Sequence, residues 1–134
     1  QISVQNDFLV SKYITLNDCD AKDVEYISSV CTTLQRINSV LEKANAHVGY
    51  RVRDEIVFYM LNNRESGLLE ETVAFDNQIM QKILPRIQGS SEAIKAMLEE
   101  LLKVCASEKY TASEKKINFM IKRYEEDGFT SYWL

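Results

Sequence analysis

The stretch SSEAIKAMLEELLKVC, residues 90–105, decides the class of fold. Ile94, Met97, Leu98, Leu101, Leu102 and Cys105 recur at three- and four-residue steps with polar residues between them, so a helix lines them up as one apolar stripe. Ser90 and Ser91, in the loop with Gly89, are placed to cap the start of that helix.

Toward the C-terminus, Thr111 and Glu114 have the spacing of a capping box and open a further helix through Ile117, Met120, Ile121 and Tyr124. Gly128 ends it, and the aromatic tail FTSYWL, residues 129–134, follows. Toward the N-terminus, Val73, Ile79, Met80, Ile83 and Leu84 form a third-helix stripe that Pro85 should bend or stop. Residues 62–67 read as a turn, and before it a second helix spans about 51–63. Val52, Ile56, Tyr59 and Met60 form its stripe, and Val57, Phe58 and Leu61 widen the stripe enough to predict a central position. The first helix begins near Asp23 with Val24, Ile27, Cys31, Leu34, Ile37 or Asn38, Leu41 and Ala44, capped by Asp20 or Asp23. Residues 45–49 break its period, and Gly49 is suited to end a helix or tighten the turn.

These stripes, joined by short connections and without a convincing strand pair, predict an all-α, compact bundle of about five helices over residues 21–134. Residues 1–20 read as an irregular N-terminal arm: Ile2, Val4, Phe8, Val10, Tyr13 and Ile14 lack helical spacing. The chain opens on Gln1 without a helix start, so a segment of a longer polypeptide is expected.

The 134 residues suffice for one domain with its own core, and 46% hydrophobic content with four Gly and one Pro excludes a disordered or turn-dense class. A net charge of −4 offers no long-range attraction to a phosphate backbone, and no basic run stands out. Cys19, Cys31 and Cys105 are odd in number and widely spaced, which suggests neither a disulfide framework nor a zinc site and predicts a reducing compartment. With no leader or long apolar run, the expected location is cytoplasmic.

Four blocks single this bundle out. They are GYRVRDEI at 49–56, the second block FDxQIMxKILPRxxG at 75–89, KKIxxM at 115–120 and GFTSYW at 128–133. In order and spacing they resemble the C-terminal helical lid of McrB-type AAA+ nucleotidases of restriction and defence systems. The resemblance covers about the last 110 residues, and residues 8–18 are similar to the segment that follows the nucleotide-binding core in that family. It implies an AAA+ lid that couples nucleotide state to subunit or partner assembly and is not catalytic by itself. It also implies an upstream AAA+ core binding ATP or GTP with Mg, neighbouring ring subunits, a separate nuclease subunit, and contact with DNA only through the parent protein. The chain itself has no G-x-x-x-x-G-K-[ST] loop.

By the same resemblance, a lid of this kind sends one arginine, a sensor 2 residue, to the nucleotide phosphates from near a helix start. Arg51 matches best and Arg53 is the reserve. A guanidinium suits that task because it stays charged and offers forked donors to phosphate oxygens. The bland alternative for either is a surface pair with Asp54 or Glu55. Lys82 and Arg86, one turn apart, could present a cationic face to a neighbouring subunit, with Asp76 helping a helix start; a solvated face is the competing reading. His47, the one histidine, reads as a loop residue without a catalytic partner. Glu99-Glu100 and Glu125-Glu126-Asp127 read as solvated faces, because adjacent helical residues diverge too far to share a site. Phe129, Tyr132 and Trp133 concentrate large rings in the tail, so they should dock on the last two helices or enter an interface. The alternative to a lid is a freestanding helical adaptor whose apolar groove binds a protein or peptide.

Overall fold

The computed structural model describes residues 21–133; the arm, with Cys19 and Asp20, and Leu134 lie outside them. Among the described residues five α-helices run in order: α1 (Ala21–Leu41), α2 (Tyr50–Ser66), α3 (Glu71–Gln78), α4 (Glu92–Glu108) and α5 (Thr111–Asp127). A 3₁₀ turn at Glu42–Ala44 extends α1. Beyond α3 the chain widens into a π-turn at Ile79–Ile83 and tightens into a 3₁₀ turn at Leu84–Arg86. The α-helix itself ends at Gln78; Pro85 sits at the start of that last turn, where a missing N–H is tolerated, and the backbone becomes extended at Ile87.

The main packing contacts form a closed circuit, α1 to α2 to α3 to α5 to α4 and back to α1, with α4 and α5 the most extensive pair. Every helix faces a common core. Ile27, Leu34, Ile37 and Leu41 enter it from α1, Ile56 and Met60 from α2, Met97 and Leu98 from α4, and Ile79, Ile83 and Leu84 from the segment after α3. The expected centre of the bundle shifts accordingly. In α2, Ile56, Val57 and Met60 are buried, but Phe58 is 48% exposed and Tyr59 half-buried. Val73 of α3 is likewise exposed, while Ala74 and Phe75 face inward.

The connections are fixed by side chains that imitate a neighbouring backbone. Asn38 accepts the Val48 N–H at 2.7 Å and donates to the Val48 carbonyl at 3.0 Å. This leaves Ile37 as the core residue of the pair that spacing could not separate. Asn63 holds Leu69 in the same way, with both hydrogen bonds at 3.0 Å. A primary amide has one acceptor and one donor edge, so it can satisfy both polar groups of a single residue. Asn63 belongs to α2, which continues to Ser66 through the expected turn and ends at Gly67.

Several expected caps are replaced. Thr111 does not form a capping box: Tyr110 occupies the N-cap position of α5 and no cap bond comes from its side chain or from Thr111. Asp76 takes that role from α3, accepting the Ala112 N–H at 2.8 Å, the Ser113 N–H at 2.9 Å and the Ser113 hydroxyl at 2.5 Å. Asp76 therefore caps α5 rather than its own helix. Ser91 stands at the N-cap of α4 without a side-chain cap bond, and Ser90 lends its carbonyl to the Tyr124 hydroxyl at 2.9 Å. Gly49 is the N-cap of α2, and it is Asn45, at φ 56°, that closes the turn after α1.

The C-cap of α4 is Lys109 at φ 65°, in the left-handed region where a Cβ is strained. The Tyr110 N–H bonds back to the Cys105 carbonyl at 2.9 Å, which holds Lys109 there. Lys109→Gly is expected to raise stability by about 0.5–1 kcal/mol, because glycine adopts this conformation without the Cβ clash. Urea unfolding measures it, and a destabilised variant would refute the strain argument.

A two-residue antiparallel pair ends the fold: β1 (Gln88–Gly89) with β2 (Thr130–Ser131), in register Gln88 to Ser131 and Gly89 to Thr130. Gly89 has φ +142°, and a Cβ there would lie 2.5 Å from Ile94 Cδ1, so both conformation and space call for glycine.

Candidate functional site at the start of helix α2

Gly49 begins α2 in an extended conformation and contributes no side-chain cap. The first-turn amides of a helix have no intrahelical acceptor, so this end carries the positive pole of the helix. Arg51 stands in that first turn, exposed, and its guanidinium makes no ion pair, hydrogen bond or ring contact among the described residues. Arg53 differs. It is half-buried, with its guanidinium carbon 4.3 Å from the centre of the Tyr50 ring. Across the α1–α2 contact, Arg53 and the buried Asp54 both act electrostatically on Cys31. The two arginines that looked equivalent in sequence thus divide into one available to an anion and one built into the helix pair.

Lys82 and Arg86 do not form one free cationic face. Lys82 Nζ lies 3.1 Å from Glu55 Oε1, and Arg86 Nη1 donates to the His47 carbonyl at 3.3 Å. The widening and tightening of the chain between them turns their side chains to different partners. His47 is exposed in the α1–α2 connection.

In the tail, Thr130 and Ser131 are buried, and the Thr130 hydroxyl donates to the Met120 carbonyl at 2.7 Å. These hydroxyl residues anchor the segment together with the Tyr132 ring, which packs against the core. Phe129 is 38% and Trp133 73% exposed, while Tyr132 is half-buried. The acidic runs sit in surface ion pairs, Glu100 with Lys43, Glu125 with Lys95 and Asp127 with Arg123, of a kind that contributes little to stability.

Cys31 and Cys105 are buried free thiols. Burial, which penalises the thiolate, pushes both up to about 12, so neither is ionised at neutral pH. Among the described residues no group of three or more His, Cys, Asp or Glu could hold a metal ion, and no helix is long and apolar enough to cross a membrane.

Sequence spacing missed a cleft of about 470 Å³ between α2 and the end of α3, lined by Glu55, Phe58, Tyr59, Asn62, Gln78, Gln81 and Lys82. Gln78 is 2% exposed and its amide oxygen has no hydrogen-bond partner among the described residues. In the sequence the cleft is marked only by the polar Gln78 beside Ile79, which nothing in the 75–89 stretch sets apart.

No curated protein and no solved structure matches this chain. Residues 3–129 match the family described as Domain of unknown function (DUF8727), and the chain belongs to that family.

Proposed function

We propose that this chain is the C-terminal lid of an NTP-driven AAA+ protein of restriction or defence type, with Arg51 reaching the nucleotide phosphates. The observation that carries the reading is Arg51 itself. It is an exposed guanidinium with no partner among the described residues, in the first turn of a helix whose N-cap has no side-chain cap. Forked donors and the helix pole act together on a phosphate group. The lid would pack against an upstream nucleotide core that binds ATP or GTP with Mg, and its position would follow the nucleotide state and set the fit with neighbouring ring subunits and a separate nuclease subunit. The lid performs no chemistry in this scheme.

In the full-length protein, Arg51→Ala is expected to lower nucleotide turnover or affinity roughly tenfold to a hundredfold, the scale of one charge-assisted contact. Arg53→Ala should leave turnover nearly unchanged. Steady-state hydrolysis of ATP and GTP measures both, and unchanged kinetics in Arg51→Ala would remove the assignment.

A second reading, a freestanding adaptor, draws on an apolar cleft of about 670 Å³ lined by Tyr59, Asn62, Asn63, Ser66, Leu68 and Leu69. Leu68 there is 82% exposed. The reading frame upstream separates the two: a P-loop domain supports the lid, and a gene beginning near Gln1 supports the adaptor.

A further inference from the structure

The tertiary fold gathers a basic and aromatic stripe that the chain's acidic balance conceals. On α5, Lys115, Lys116, Phe119, Lys122 and Arg123 follow the spacing of one helix face. Phe119 is 45% exposed. Its ring lies between two cations, with Lys116 Nζ 5.1 Å and the Arg123 guanidinium carbon 5.4 Å from its centre. The β1–β2 pair and the buried Thr130 bring the tail back onto this helix, so that Lys116 Nζ also stands 4.5 Å from the centre of the Tyr132 ring. Tyr132 in turn meets Trp133 edge-on, with ring centres 4.9 Å apart and planes at 80°. Trp133 is 73% exposed.

Lys115, Lys116 and Lys122 form no salt bridge among the described residues. Arg123 has one loose partner, Asp127 at 4.0 Å, and Glu126 closes the stripe at its C-terminal end. From Lys115 to Arg123 the cationic part is about 12 Å long at 1.5 Å per residue, room for a few nucleotides.

We propose that this stripe binds single-stranded nucleic acid. Lys115, Lys116, Lys122 and Arg123 would meet the phosphates, and Phe119 and Trp133 would stack against unpaired bases. Charge alone would suit any polyanion. Exposed rings interleaved with the cations favour a ligand that carries flat, apolar faces beside its negative charges, which unpaired bases supply and an acidic peptide does not. A duplex fits poorly because its bases already stack on one another. The lid reading assigns no nucleic-acid contact to this domain, so the proposal stands apart from it.

Trp133 is the only tryptophan of the chain and sits within the stripe, so its fluorescence reports on the site directly. Titrating the full chain with eight-nucleotide oligothymidylate at low salt should give saturable quenching in the range of about 1–100 µM. The logarithm of the binding constant should fall with that of salt concentration at a slope of roughly −3, from about 0.7 per phosphate met by four cations. Phe119→Ala, at an exposed position, should weaken binding roughly tenfold through lost stacking. Lys115→Glu with Lys122→Glu should abolish it, and Lys103→Glu on α4 should leave it close to unchanged. Absence of quenching overturns the proposal. So does full affinity in Phe119→Ala, or binding of polyglutamate, inorganic polyphosphate or an eight-base-pair duplex as tightly as the oligonucleotide, since each would mean that charge acts without base stacking.

Discussion

Asp76→Ala is expected to destabilise the domain by about 3–4 kcal/mol, because one buried carboxylate satisfies three donors in the first turn of α5. Asp76 is 5% and Ser113 0% exposed, so the orphaned Ser113 N–H would lie where water does not reach it, and the Ser113 hydroxyl would keep only its 3.3 Å contact to the Asp76 backbone carbonyl. An ordinary exposed cap contributes only about 1 kcal/mol. The loss is a large share of the roughly 5–15 kcal/mol that holds a domain together, and a fall of about 10 °C in Tm should accompany it. Asp76→Asn should show a smaller loss. Its single amide oxygen can still accept one N–H, but the amino group would confront the other. Urea unfolding and amide exchange at Ala112 and Ser113 test this, and a cost below about 1 kcal/mol for Asp76→Ala would contradict the capping role.

Met60→Ala is the second large effect, expected at about 2–5 kcal/mol, whereas Phe58→Ala, two residues away on the same helix, should change stability by no more than about 0.5 kcal/mol. Met60 is fully buried in the common core, so truncation removes apolar contact and leaves a cavity that its neighbours fill only in part. Phe58 is 48% exposed on the wall of the α2–α3 cleft. A purely hydrophobic reading of the sequence would rank the phenylalanine first. Equal losses in the two variants would show that α2 is enclosed on both sides.

The contrast shows how much of the fold could be read from the chain. Stripes such as Ile94, Met97, Leu98, Leu101 and Cys105 announce their helix because spacing and burial answer to the same 3.6-residue period. In α2 the apolar residues surround too much of the helix for period alone to choose a face. Asn38 and Asn63 were illegible for another reason: their partners Val48 and Leu69 lie across a connection, and nothing local in the sequence says that an amide will close it. The capping box at Thr111 and Glu114 had the right spacing, yet it is Asp76, 36 and 37 residues away, that meets the first-turn amides of Ala112 and Ser113.

The candidate sites follow that division. Arg51 and Arg53 could be named from the 49–56 block, and the contact of Arg53 with Tyr50 is local to α2, but which guanidinium stays exposed and which is half-buried required the folded helix pair. The stripe on α5 was hidden more completely. Its cations are diluted by a net charge of −4, and Tyr132 and Trp133 join them only after β2 pairs with β1.

By itself the sequence determined a set of amphipathic helices, their approximate ends and the all-α class, because these depend on interactions within a few residues. The helix circuit, the exposed side of α2, the capping of α5 by Asp76 and the meeting of the tail with Lys116 came from long-range packing. Those depend on side chains far apart in the chain satisfying one another's apolar surface and hydrogen-bonding groups, which no local period encodes.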